Sequence, residues 1–198
     1  MEISTPLTLK MGNLMNESQF FQFCQLNEGV EFERDSSGNM IILPLRGALF
    51  SLLNVNLSGQ LWNWNKKNQT GLIFSSSTGF TLPNGAVRSP DVSWVRKEKW
   101  NSLSEEQQQF FAPICPDFII EIHSVPEEKQ YLLDKMREYI NNGTQLAWLI
   151  DYLHDKVYIF NAANEITIKN SLNVILSGES ILPGFSLDLG AVINKIRI

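Results

Sequence analysis

The feature that most restricts this chain is an acid set inside an apolar strand. Residues 117–123 read Asp-Phe-Ile-Ile-Glu-Ile-His, the strongest strand signal in the sequence. With a period of two, Asp117, Ile119, Glu121 and His123 share one face, and Phe118, Ile120 and Ile122 share the other. The second face is core. The first ends in polar groups and is expected to open onto a site. Desolvating the Glu121 carboxylate costs several kcal/mol unless a partner or a metal compensates, so something must stand opposite it. A helix is expected from about Glu127 to Asn142, stopped by Gly143 as a C′ glycine. A second apolar strand, Leu146–Ile150, follows it. A strand–helix–strand unit of this kind predicts an α/β (α+β) domain, with a central mixed β-sheet flanked by helices.

The rest of the chain fits that frame. Residues 1–15 read as an N-terminal arm, and residues 16–198 as one domain. Asn16 is the expected N-cap of a first helix. Val30–Arg34 and Met40–Leu43 read as a hairpin around the turn residues 36–39. Apolar residues at near-helical spacing over 47–66 predict a long, well-buried helix, with Trp62 and Trp64 in the core. Gly71–Ser75, Phe80–Leu82, Asp91–Val95, Lys156–Phe160 and Glu165–Ile168 read as strands, and 97–111 as two short helical pieces opened in part by Ser104. Trp94 and Trp100 are expected to be half exposed.

Composition narrows the classes of function. Hydrophobic residues make up 43% and charged residues 19% of 198 residues, which is ordinary globular usage and argues against disorder. The net charge of −5 means that a nucleic-acid role needs a local basic patch. Cys24 and Cys115 lie far apart in no metal-ligating spacing and are expected to be free thiols. There is no secretory signal pattern and no run of apolar residues long enough to span a membrane, so a cytoplasmic, non-membrane protein is expected. Two histidines, His123 and His154, are too few for a multi-histidine zinc site. Neither a phosphate-binding Gly-x-x-x-x-Gly-Lys-Ser/Thr loop nor a Gly-x-Ser-x-Gly elbow is present.

Asp91, at the start of a strand in Arg88-Ser-Pro-Asp, is the second acid of interest. Two carboxylates on adjacent strands make a hard oxygen site suited to Mg²⁺ or Mn²⁺. Such a cation lowers the pKa of bound water and offsets phosphate charge.

Pro90-Asp91, then Glu121-x-His123 at a strand end, resembles the PD…(D/E)XK signature of restriction-endonuclease-like nucleases. Further blocks extend the likeness: Leu-Trp-Asn-Trp at 61–64, residues 76–85, Arg88-Ser-Pro-Asp, residues 115–121 and Lys-Met-Arg-Glu-Tyr at 135–139. Together they are similar to a large bacterial family of restriction endonucleases once catalogued as a domain of unknown function. The likeness covers about residues 16–190. It implies that Asp91 and Glu121 hold the metal and that Glu33, which also matches, reaches the site as a third metal residue. In the superfamily a lysine orients the attacking water or stabilises the phosphate. Here His123 fills the usual lysine position, and Lys135 on the following helix matches the family's lysine. Lys129, six residues earlier, competes for the role, and His123 stays a catalytic candidate.

Two expectations follow. The first is a metal-dependent endonuclease hydrolysing phosphodiester bonds in DNA. The alternative is a catalytically degenerate nuclease-fold protein acting as a binding module. Leu49, at a position where the resemblance implies an acid or histidine, motivates the alternative, as does the missing Glu-x-Lys lysine. A homodimer is expected only by superfamily analogy.

Overall fold

The computed structural model describes residues 5–125 and 129–196. In chain order its strands and helices are β1 (Leu7–Leu9), α1 (Glu17–Leu26), β2 (Phe32–Arg34), β3 (Met40–Ile42), α2 (Ala48–Asn68), β4 (Gly71–Ser75), β5 (Phe80–Thr81), β6 (Val87–Arg88), β7 (Val92–Arg96), α3 (Lys97–Asn101), α4 (Glu105–Gln109), β8 (Phe118–His123), α5 (Lys129–Asn141), β9 (Leu146–Asp151), β10 (Lys156–Asn161), β11 (Ile166–Lys169), β12 (Ile175–Ser177), β13 (Ser186–Asp188) and α6 (Leu189–Ile196).

The expected α/β architecture around a mixed sheet is present. Six strands run in the order β11-β10-β9-β8-β7-β4. β8 and β9 pair in parallel, with Glu121 beside Leu149 and His123 beside Asp151. All the other pairings in that sheet are antiparallel. A second sheet of five strands has the order β1-β3-β2-β6-β5. The chain passes from the second sheet into the first between Arg88 and Val92, across Ser89-Pro90-Asp91.

Helices cover the six-stranded sheet on both faces. Phe118, Ile120 and Ile122 of β8 pack with Phe50, Leu53, Leu57 and Leu61 of α2 and with Val192 and Ile193 of α6. Ile119, one position over, packs with Leu132, Met136 and Tyr139 of α5. Every residue of β8 is therefore buried. The face carrying Glu121 is roofed by α5 rather than open, which corrects the expectation from the strand's polar end. A strand with a parallel neighbour and helices on both sides is closed on both faces. Truncating any of the fully buried Leu53, Leu57 or Leu61 to alanine is worth about 2–5 kcal/mol.

Local signals account for several element ends. Asn16 caps α1 in a reciprocal capping box with Gln19, and Ser104 does the same for α4 with Gln107. Gly143 takes φ +114 after α5, which only glycine adopts without strain. The expected start of that helix at Glu127 lies outside the described residues.

Other expectations change. Within the N-terminal arm, Leu7–Leu9 forms a strand on β3. Phe80–Thr81 joins the five-stranded sheet, not the sheet of β4. The long helix buries one stripe only. Leu52, Val55 and Trp62 face outward, and Trp62 is 57% exposed. Trp94, expected half exposed, is buried, and its Nε1 donates to Asn65 Oδ1 at 3.0 Å. Asn65 replaces water as the indole's partner, which is what lets a tryptophan sit inside. Cys24 and Cys115 are free thiols, and Cys115 is buried. No helix among the described residues is long and apolar enough to cross a membrane.

Candidate active site

The site forms where the two sheets meet beneath α5. Val92 pairs with Ile120 in the antiparallel β7–β8 ladder, so Asp91, one residue earlier, stands beside Glu121. The Asp91 carboxylate is fixed by the backbone: Ile122 N–H donates to Oδ2 at 2.7 Å. Asn54 of α2 ties the Asp91 carbonyl at 2.8 Å. The two acids that the sequence singled out are therefore brought together on neighbouring strands.

Glu33 enters from β2 of the other sheet. Lys135 reaches down from α5 between the two sheets, with Nζ 2.6 Å from Glu33 Oε1 and 2.8 Å from Glu121 Oε1. It also donates to the Ser89 carbonyl at 3.3 Å. The sequence placed this lysine at the edge of the helix's apolar stripe. The structure puts it inside the stripe, buried with Leu132, Met136 and Tyr139. Positions 132, 135, 136 and 139 are one helical face, and only the acids on the sheet below make a cation acceptable there.

Glu33 has more donors than the other acids. Besides Lys135, it accepts from Arg88 Nη1 at 3.0 Å, from the Tyr131 hydroxyl at 2.6 Å and from the Ser89 amide at 3.0 Å. Both of its oxygens are engaged. Arg88 in turn donates Nε to Glu138 at 2.6 Å. Arg88, Tyr131 and Glu138 were not singled out from sequence. Tyr131 lies four positions before Lys135 and Glu138 three after it in that helix, which is the available signal.

The electrostatics follow from these contacts. Burial pushes Asp91 up to about 6, against the pull of Arg46 and Lys135 and of the Ile122 hydrogen bond. Burial likewise pushes Glu121 up to about 8; Lys135 opposes the rise, and Asp91 and Glu33 add to it. At Glu33 burial is outweighed by Lys135, Arg88 and the Tyr131 hydrogen bond, and the carboxyl falls to about 2. Lys135 moves up despite burial, because Glu121 and Glu33 hold its charge.

Asp91 and Glu121 are therefore acids whose negative charge the protein compensates incompletely. Among the described residues Glu121 Oε1 has no hydrogen-bond partner of suitable direction, although the Lys135 ammonium is close. A divalent cation would supply the missing charge, and two carboxylates suit the hard cations Mg²⁺ and Mn²⁺. The donor set fits such an ion.

The remaining candidates sit elsewhere. Lys129 lies over the Tyr158 ring and pairs with Asp151 Oδ2 at 3.3 Å. His123 turns Nδ1 toward Asp151 Oδ1 at 2.8 Å. Neither has a bond to Asp91 or Glu121 among the described residues. Leu49 is 40% exposed on the first turn of α2. A cleft of about 270 Å³ next to Ser89 is lined by Glu31, Phe32, Leu43, Ser76 and Ser77 and borders the site on its outer side.

A mixed sheet with an acid pair on adjacent strands and a lysine reaching in from the crossover helix defines a restriction-endonuclease-like nuclease fold. The chain belongs to the Uma2 family, described as "Putative restriction endonuclease", whose pattern it matches over residues 18–190. Among solved structures it is similar to a "putative nuclease belonging to DUF820" from Anabaena variabilis. The TM-score is 0.74 at 18% identity, over 92% of this chain and 99% of that one, a likeness of fold. A comparison with curated proteins found no match.

Proposed function

We propose that the protein is a divalent-metal-dependent endonuclease that hydrolyses phosphodiester bonds in DNA. The observation that carries this reading is the buried pair Asp91 and Glu121, raised to about 6 and about 8 with Lys135 2.8 Å from the second. Strained titration of this kind marks functional sites more often than structural ones. Asp91 and Glu121 would hold Mg²⁺ or Mn²⁺, which when bound lowers the pKa of water and offsets charge on the scissile phosphate.

The other residues position and charge this pair. Ile122 N–H orients Asp91. Lys135 stays protonated and so donates rather than accepts; its part is electrostatic, toward the attacking oxygen or the phosphate. Glu33 anchors that ammonium, and its saturated oxygens favour this over a place in the metal shell. Arg88 and Tyr131 lock Glu33 in turn.

The test is Mn²⁺ and Mg²⁺ calorimetry on wild type, Asp91→Ala and Glu121→Gln, with nicking of supercoiled plasmid on the same samples. Binding and nicking that both vanish in the variants support the nuclease; unchanged affinity in both variants sinks it. A second reading, a silent nuclease fold that binds a partner, is favoured by the outward Leu49 and by a site whose four ionisable groups are each at most 6% exposed. A folded wild type that binds neither cation would select it.

A further inference from the structure

We propose that His123, Asp151 and His154 form a second metal site, separate from the acid pair and selective for a borderline divalent cation such as Zn²⁺ or Co²⁺. The inference does not rest on the nuclease reading. His123 Nδ1 lies 2.8 Å from Asp151 Oδ1. His154 Nδ1 lies 2.9 Å from the same oxygen and 3.1 Å from Oδ2. One ligand atom from each residue falls within 4.8 Å of the others. The imidazoles stack at 5.7 Å with 17° between their planes.

The cluster is held by backbone, not by chance rotamers. His123 and Asp151 are direct neighbours in the parallel β8–β9 register. His154 sits in the turn after β9, and its amide donates to Asp151 Oδ1 at 3.2 Å. Lys129 holds the other carboxylate oxygen at 3.3 Å. A site built on strand ends and a tied turn keeps its geometry better than one on free loops. Tetrahedral zinc bonds of about 2.0–2.1 Å need ligand atoms roughly 3.3 Å apart, so the two Nδ1 atoms, now 2.8 and 2.9 Å from Asp151 Oδ1, each draw back from it by about half an ångström to admit the ion.

Two further observations point to a cation. His123 is fully buried, and its Nε2 has no hydrogen-bond partner among the described residues. The Asp151 carboxylate accepts from Nδ1 and so holds the proton there; a cation bound at Nδ1 requires that proton to pass to the free Nε2. His154 has a side chain 48% exposed, which opens a path from solvent. Two imidazoles and one carboxylate leave a fourth position for water. They favour Zn²⁺, Co²⁺, Ni²⁺ or Cu²⁺ over Mg²⁺.

The experiment is Zn²⁺ calorimetry in excess Mg²⁺, with Co²⁺ absorption spectra as a second readout. Wild type, His154→Ala, Asp151→Asn and Glu121→Gln are compared, each first shown to be folded by circular dichroism. The expected result is one Zn²⁺ bound by wild type and by Glu121→Gln, with tetrahedral Co²⁺ bands. His154→Ala should weaken binding by roughly tenfold or more and remove the bands. Zn²⁺ affinity equal in wild type and His154→Ala overturns the proposal. So does binding lost only in Glu121→Gln, or no Zn²⁺ binding by wild type.

Discussion

Lys135 Nζ stands 2.6 Å from Glu33 Oε1, an ion pair in which neither side chain is more than 3% exposed. Such a pair is costly to assemble and costlier to break. Replacing Lys135 by methionine leaves Glu33 and Glu121 facing each other without their shared cation. We expect a loss of about 3–5 kcal/mol in urea denaturation. Joining Lys135→Met to Glu33→Gln should cost less than the two changes summed, because the double variant removes one buried charge of each sign. Simple additivity would show that the pair is not coupled.

Metal affinity should depend steeply on pH. Asp91 and Glu121 keep their protons to about 6 and about 8 in the folded chain, and a cation must displace them. Mn²⁺ affinity is expected to rise about tenfold per pH unit for each proton released, from about pH 6 to about pH 8. Calorimetry in buffers of different ionisation enthalpy counts those protons. A flat profile would mean that other groups bind the ion.

The same groups act on stability with opposite signs. Glu121 is raised above the ordinary glutamate value of 4.5, so the folded state holds a proton that the unfolded chain gives up. Without metal, its contribution to stability falls as pH climbs from about 4.5 to about 8. Glu33 is lowered from 4.5 to about 2, so its stabilisation is present above 4.5 and lost as pH falls toward 2. Wild type should therefore lose stability at both ends of that range. Glu33→Gln should flatten the acid limb and also shrink the alkaline one, because the Glu33 charge helps to raise Glu121, as read from melting temperature against pH.

Asn65 accepts from the buried Trp94 indole at 3.0 Å and donates to the Gly71 carbonyl at 2.9 Å. Asn65→Ala strands both groups in the core. A loss of about 1–3 kcal/mol is expected by chemical denaturation, with a shift in Trp94 fluorescence. An unchanged midpoint would mean that water replaces the amide.

The sequence made the frame legible because long apolar runs and capping residues are local signals. The strand at 117–123, the helix after it and the parallel strand at 146–150 needed no tertiary information. The Asp91–Glu121 pairing was legible through the resemblance, and register then explains it. What was not legible depends on partners far along the chain. Trp62 and Trp94 exchanged their expected exposures because Asn65 gives the Trp94 indole a bond inside the fold. Lys135 read as an edge residue because Glu33, its nearest acid, lies 102 positions away on another sheet. The His123–Asp151–His154 group escaped because its members meet only through the β8–β9 register; the Asp-x-x-His spacing at 151–154 was the one hint.

The seam between the sheets is also the proposed reaction centre. Glu33 belongs to the five-stranded sheet and Glu121 to the six-stranded one, and Lys135 clasps both. The clasp joins scaffold and chemistry in one object. Under the proposed nuclease reading, any motion that admits a DNA backbone to Glu121 must first loosen a fastening that keeps the halves together, so substrate entry and mechanical integrity draw on the same three side chains.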